Sequence, residues 1–178
     1  MAIKKTMMGC GCFWCFEAVF QRLNGVIEVN SGFAGGEIES PSYEQVCTGT
    51  TGHAEVLEIN YDDEIIAFKT LLDVFFSIHN PTTLNRQGAD RGTQYRSIIF
   101  YTSDTQKLEC ERVIQQLNQS KKWDSPIVTE LSSDAVFYSA GDYHKNYFNE
   151  HSEQGYCQTV IYPKIIKLTK DYTSLLKS

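Results

Sequence analysis

Apolar positions along the chain recur with two periods. "IKKTMMG" (3–9) reads as a short strand, and "HAEVLEINY" (53–61) alternates as a strand does. From Cys12 onward, Phe13, Phe16, Phe20 and Leu23 recur at spacings of three, four and three, which predicts a helix that Gly25 stops. "VIEVNSGFAGG" (26–36) reads as a strand running into a glycine turn, followed by a polar loop with Pro41. "IIAFKTLLDVFFSIHN" (65–80) is a strongly apolar helix halted before Pro81. "YRSIIFY" (95–101) is a strand, and "DTQKLECERVIQQLNQ" (104–119) an amphipathic helix with Asp104 as candidate N-cap. "PIVTEL" is expected as a strand, "AGDYHKNYFNEH" as a helix, and the remainder as tail. The polar stretch "TTLNRQGADRGTQ" has no pattern of its own, and a loop that long is often functional.

The resulting order is β-α-β-β-α-β, then a helix and a strand. This predicts an α+β fold of the ferredoxin-like, split βαβ kind: a two-layer sandwich with extra C-terminal elements. One domain over residues 1–178 is expected, with about 150–178 as a long tail. A hydrophobic content of 42% and a charged content of 21% suit a globular, soluble chain. The net charge of −6 lacks the basic face that nucleic acid requires, and leaves small or peptidic substrates open. "MAIKKTMMGC" has too short an apolar part for a signal peptide, and no run approaches a membrane span, so cytoplasm is the expected compartment. There the six cysteines should be mostly thiols, and their clustering points to metal or redox chemistry.

Half of those cysteines, Cys10, Cys12 and Cys15, lie in "GCGCFWCFEAVF" (9–20). Cys12 falls where the first strand ends and the first helix starts. Free N–H groups and a partial positive charge at a helix start favour the thiolate, the nucleophilic form. The plainer reading is a buried thiol acting as a small hydrophobe. Cys12 and Cys15 form a C-x-x-C pair whose Cα atoms would be roughly 5 Å apart on a first helical turn, within disulfide range. Cys15 is therefore a candidate to resolve an oxidised Cys12, unless it only packs. A zinc site lacks a fourth ligand, because His53, His79, His144 and His151 show no paired spacing. No metal is expected.

Glu55 shares a strand face with Leu57 and Ile59, so desolvation should raise its pKa and make it a proton donor near neutral pH. A solvated rim position is the alternative. Tyr43 and Tyr95 carry hydroxyls that donate without charge, although most tyrosines only pack. Asp90 lies in "QGADRGTQYRS" beside Arg91 and glycines, where a turn-forming Asp is equally at home. Phe13 and Trp14 follow the candidate nucleophile and are either core or the wall of a small apolar pocket. Cys157, in "QGYCQTVIYPK", could reach a distant partner from a mobile tail. Cys47 and Cys110 are assigned to packing. On these residues alone, an enzyme with a cysteine nucleophile and a general thiol-disulfide exchange or redox-sensing module using Cys12–Cys15 stay equally open.

"GCFWC" with "EAVFQRLNGV", "GFAGG", "PSYEQVCTGTTGHAE", "RQGADRGTQYRS" and "GYCQTVIYPK" resembles the A-type peptide methionine sulfoxide reductases, from about Met8 to Lys164. The resemblance implies reduction of methionine (S)-sulfoxide in proteins and as the free amino acid. It makes Cys12 the nucleophile, Phe13 and Trp14 the wall for the substrate methyl group, and Glu55 the proton donor to the sulfoxide oxygen. Tyr43 and Tyr95 would donate to the same oxygen, and Asp90 would help hold the substrate. A sulfenic acid on Cys12 would be resolved by Cys15 or Cys157, then recycled by thioredoxin, or by dithiothreitol in vitro. No bound cofactor, nucleic acid or membrane is implied, and a monomer is expected. Cys10 departs from the family pattern, which has glycine there. So do Asn80 and Ala89, where "HDP" and "GND" are expected, and this touches the anchoring of Asp90.

Overall fold

A strand covered on both faces shows an apolar run in place of clean alternation, and the first strand has that character. Strand β1 (Ile3–Cys10) is exposed over its first three residues and buried from Thr6 onward. The computed structural model, which describes residues 2–177, sets β1 at the centre of a mixed α/β architecture. β1 pairs antiparallel with β3 (Ala54–Asp62) on one side and β6 (Ser97–Tyr101) on the other, with Met8 opposite Leu57 and Cys10 opposite Ser97. β2 (Val26–Ala34) lies antiparallel beyond β3 and places Phe33 opposite Glu55. The long polar stretch contains a small separate hairpin, β4 (Arg86–Gln87) with β5 (Asp90–Arg91), and a 3-10 turn at Thr93–Tyr95. β7 (Glu130–Ser133) runs parallel to β6 and β8 (Tyr138–Ser139) caps β2, so the main sheet has the order β7-β6-β1-β3-β2-β8.

The strand period of two sends neighbouring residues to opposite faces. Met7 joins Ala34, Ala54, Val56, Ile98 and Phe100 in the smaller cluster. Met8, Leu57, Ile59 and Ile99 join the main core, together with helix α1 (Phe13–Phe20), helix α3 (Phe68–Ser77) and helix α4 (Asp104–Ser120). α1 is apolar on nearly every side and buried accordingly. It ends at Phe20, short of Leu23, which instead bridges to Leu176.

Several expectations shift. The 65–80 helix begins at Phe68, because Ile65 and Ile66 donate to the Asp62 carbonyl in a turn. The cap of α4 is Ser103, whose Oγ accepts from Gln106 N at 3.2 Å, and Asp104 sits in the first turn. Helix α2 (Tyr43–Cys47) was not expected, although Ser42 and Gln45 form a reciprocal capping box with a readable S-x-x-Q signature. "PIVTEL" contributes only its last two residues to β7. The 140–151 helix is a 3-10 turn (Asp142–His144) and a short helix α5 (Tyr147–His151), separated by Asn146 at φ 56°. After residue 150 the chain is helical: a π-helical turn (Cys157–Ile161) runs into helix α6 (Tyr162–Asp171). Pro163 near the start of α6 has no N–H to give to an α-helical ladder, and the wider turn lies just before it. Cys157, Ile161 and Leu168 are part of the main core.

Gly9 lets the strands approach beside the thiol cluster, since a Cβ there would stand 2.6 Å from the Glu55 carbonyl oxygen. Gly9→Ala is expected to cost about 1–3 kcal/mol of stability through overpacking. Urea denaturation checks this, and an unchanged midpoint would show that the strands can part at no cost.

Candidate active site

The turn from β1 to α1 sets the first reactive groups. Gly11 takes φ 112°, and the Gln87 side chain packs where a Cβ would stand. Cys12 follows as N-cap of α1 in extended conformation, and its carbonyl accepts from Cys15 N at 3.0 Å. The two sulfurs are hydrogen-bonded to each other, and the Trp14 N–H is directed at Cys12. The pair shares one proton unequally. Cys15 is held down to about 7, first by the hydrogen bond from Cys12, with further help from Lys164 and Tyr156. Cys12 is pushed well above the ordinary thiol range by burial and then by its bond to Cys15. The helix start by itself therefore does not make Cys12 the resting thiolate; the negative charge of the pair rests on Cys15. Burial likewise raises Cys10, which stays a neutral core thiol.

Glu55 comes from the first turn of β3 and is 1% exposed. The Phe13 N–H donates to its Oε1 at 3.2 Å, while Oε2 has no partner. Burial drives the carboxyl pKa up to about 8, against the Phe13 bond and with the charges of Asp90 and Cys15 adding to it. At neutral pH this is an un-ionised acid whose second oxygen carries an uncommitted donor or acceptor.

Aromatic rings surround the pair. Phe13 is fully buried on Phe33, at 5.7 Å between centroids, and stacks on Tyr43 at 6.3 Å. Trp14 is half-buried; Tyr147 lies flat on it at 3.7 Å and 7°. The Trp14 indole donates to His144 Nδ1 at 3.1 Å, which leaves the proton of neutral His144 on Nε2. Glu17, one turn along α1, accepts from Tyr147 N at 2.9 Å and so ties the second ring to the same helix. Burial first, and the Glu55 charge second, push the Tyr43 and Tyr95 hydroxyls above the ordinary phenol range, so both stay neutral donors.

The loop carrying Asp90 and Tyr95 is clamped in several places. Thr93 Oγ1 donates to the Gly49 carbonyl at 3.2 Å, and Arg96 to the Gly52 carbonyl at 3.0 Å. The Asn80 backbone pairs with both ends of the Gln87 side-chain amide at 3.1 and 3.0 Å, and the Asn80 side chain accepts from Thr82. Asn80 is thus a competent turn-former, and Ala89 is exposed at the hairpin tip. Asp90 is anchored from the far end of the chain: Tyr156 donates to its Oδ2 at 3.0 Å while lying 3.9 Å from Cys15 Sγ.

Cys12, Cys15, Glu55, Phe13, Trp14, Tyr43, Tyr95 and Asp90 therefore converge on one region. Cys157 does not sit on a free tail; it is buried in the π-helical turn, raised by that burial and then by the charge on Cys15. His144, Tyr147 and Tyr156 were missed by the sequence reading. The density of aromatics over 143–156 was their only signal. No group of three or more His, Cys, Asp or Glu among the described residues is arranged to hold a metal ion, and no helix there is long and apolar enough to cross a membrane.

Comparison with known proteins gives a consistent result. The family model described as peptide methionine sulfoxide reductase matches residues 4–175. A peptide methionine sulfoxide reductase MsrA of Polynucleobacter asymbioticus is 50% identical over 98% of this chain and 92% of its own. One from Chromobacterium violaceum is 51% identical over 99% and 100%. Among solved structures, Mxr1 from Saccharomyces cerevisiae in reduced form aligns with a TM-score of 0.82 and 37% identity, covering 90% of this chain and 91% of that one. The same yeast protein in complex with Trx2 aligns with a TM-score of 0.58 and 27% identity over 82% and 84%.

The raised pKa of Glu55 has a stability consequence of definite sign. The unfolded carboxyl ionises near 4.3 and the folded one at about 8, so folding takes up a proton between these values. The contribution of Glu55 is greatest below the lower value and is lost as pH rises through the upper one. The melting temperature of Glu55→Gln relative to that of wild type should therefore climb from pH 5 to about pH 8 and then level off. Thermal unfolding across pH checks this; a pH-independent difference would mean that Glu55 ionises normally.

Proposed function

Since the chain belongs to the peptide methionine sulfoxide reductase family, we propose that it reduces methionine (S)-sulfoxide, in proteins and as the free amino acid, with Cys12 as nucleophile. The observation that carries this reading is the unpartnered Oε2 of a buried, un-ionised Glu55 beside a proton-sharing thiol pair. A sulfoxide oxygen leaves sulfur poorly unless it is protonated or strongly hydrogen-bonded as charge develops on it. Glu55 supplies the proton, and Tyr43 and Tyr95 supply neutral donors that do not compete as nucleophiles. General thiol-disulfide exchange needs no proton at an oxygen and would leave Oε2 without a task.

In this reading the shared proton passes from Cys12 to Cys15 and frees the Cys12 thiolate, which attacks the sulfoxide sulfur. The substrate methyl group lies against Phe13 and Trp14, and Asp90, held by Tyr156, positions the rest. The protonated oxygen then passes from the substrate sulfur to Cys12 Sγ as the new sulfur–sulfur bond breaks, which leaves methionine and a Cys12 sulfenic acid. Cys15 attacks that sulfenic acid, forming the Cys12–Cys15 disulfide and releasing water. Cys157, as the second resolving candidate, would have to leave its buried turn first. A thioredoxin-type dithiol then restores both thiols, a step supported by the relative solved with Trx2.

The finer architecture is read in the same way. The central order β6-β1-β3-β2, with every pair antiparallel, supports the reading of the fold as a split βαβ sandwich. The whole chain is a single reductase domain whose C-terminal segment closes over α1. A monomeric cytoplasmic enzyme without bound cofactor fits it.

Turnover of separated epimers with dithiothreitol tests the function. The S epimer alone should be reduced, and Cys12→Ser should lose the activity while keeping its fold by circular dichroism. Equal turnover of the R epimer, or residual turnover by Cys12→Ser, would contradict the assignment.

A further inference from the structure

The two rings read as the methyl wall differ in freedom. Phe13 is fully buried on Phe33, whereas Trp14 is half-buried and stands 6.3 Å from Phe13 at 48°. An alkyl group larger than methyl can therefore be admitted only if Trp14 gives way. Two groups resist that movement. The indole N–H donates to His144 Nδ1 at 3.1 Å, and Tyr147 lies flat on the indole at 3.7 Å. Both come from one short segment, and His144 is 130 positions from Trp14 in sequence.

That segment does not fix its own course. A 3-10 turn ends at His144, Lys145 is extended, Asn146 takes φ 56°, and α5 begins at Tyr147. The Asn146 side chain makes no capping bond. The first N–H groups of a helix have no partner within it, and here the partner comes from α1. Glu17, 2% exposed, accepts from Tyr147 N at 2.9 Å, and the Asn146 N–H is directed at the same carboxyl. Glu17 follows Trp14 by one helical turn, so the two lie on the same side of α1. Trp14, the His144–Tyr147 segment and Glu17 thus form a closed loop of contacts on one helix.

We infer that Glu17 is a positioning residue for the reaction: by holding the segment that carries His144 and Tyr147 it sets the plane of Trp14, and with it how strictly the site selects a methyl group on the sulfoxide sulfur. The inference rests on the reading that Phe13 and Trp14 receive the substrate methyl group. What the role needs is an acceptor oxygen at a fixed place, which an amide also provides. Simple attachment of α5 to α1 has other means. Arg22 of the turn after α1 donates to Asn149 at 2.9 Å and lies 5.6 Å over the buried Phe148 ring. Loss of the Glu17 bond would therefore free the end of α5 that faces Trp14 while the rest stays docked.

The test compares kcat/KM for methionine (S)-sulfoxide and for its ethyl homologue, with dithiothreitol as reductant, in variants whose fold is checked by circular dichroism. Wild type should prefer the methyl substrate by about tenfold or more, which is what one methylene can decide. Glu17→Ala should cut that preference to about threefold or less, through a higher KM for methionine sulfoxide with kcat kept within about twofold. Glu17→Gln should keep the wild-type preference within about twofold, because its oxygen still accepts. Tyr147→Leu keeps the N–H that Glu17 binds and removes the ring; it should reproduce the loss of preference, and it decides the matter if Glu17→Ala fails to fold. A wild type without preference, an unchanged preference in folded Glu17→Ala or in Tyr147→Leu, or a Glu17→Gln as impaired as Glu17→Ala would overturn this inference alone. A wild type that does not reduce the S epimer would overturn the proposed function and the inference with it.

Discussion

The hydrogen bond from the Phe13 N–H to Glu55 Oε1 is the contact on which the site depends. It joins the start of α1 to β3, two elements whose residues lie 42 positions apart in sequence. The bond takes one carboxyl oxygen and leaves the other buried without a partner. An N–H at a helix start ordinarily favours a carboxylate. Here burial outweighs it, and the carboxyl stays un-ionised up to about pH 8. The acid therefore keeps its proton at the pH where a thiolate is also present, which is the combination that sulfoxide reduction requires.

The thiol pair shows the same competition between a helix start and desolvation. Neither cysteine alone would be a ready nucleophile, because burial raises both. Their mutual hydrogen bond lets one charge exist between them, and Tyr156 and Lys164 place it on Cys15. Cys12, raised first by burial, rests protonated. Tyr156 also anchors Asp90, so one phenol from the C-terminal segment steadies both the loop that carries Asp90 and the charge on the pair.

Much of this arrangement was readable wherever local pattern and tertiary burial agree. β3 alternates, α1 carries a helical period, and Glu55 falls on the apolar face of β3. The turn into Cys12 was readable too, because a glycine precedes a run of apolar helical positions. The distribution of charge within the Cys12–Cys15 pair was not, since it depends on burial and on Tyr156, which is 141 residues from Cys15 in sequence. The C-terminal segment read as tail because α6 has a polar outer face and its apolar side finds partners only on α1 and its neighbours. Asn146, in a left-handed conformation, broke a helix that composition favoured. At the two departures, the Asn80 backbone pairs with the Gln87 side-chain amide and Ala89 is exposed at the hairpin tip, while Asp90 is held by Tyr156.

The central claim is that Glu55 is a neutral acid beside the thiol pair under working conditions. Infrared difference spectroscopy between wild type and Glu55→Gln reads this directly. The account predicts the carbonyl stretch of a buried protonated carboxyl in the wild type at pH 7, fading as pH rises through about 8. Carboxylate bands for Glu55 already present at pH 6, with no protonated carboxyl to lose, would contradict it.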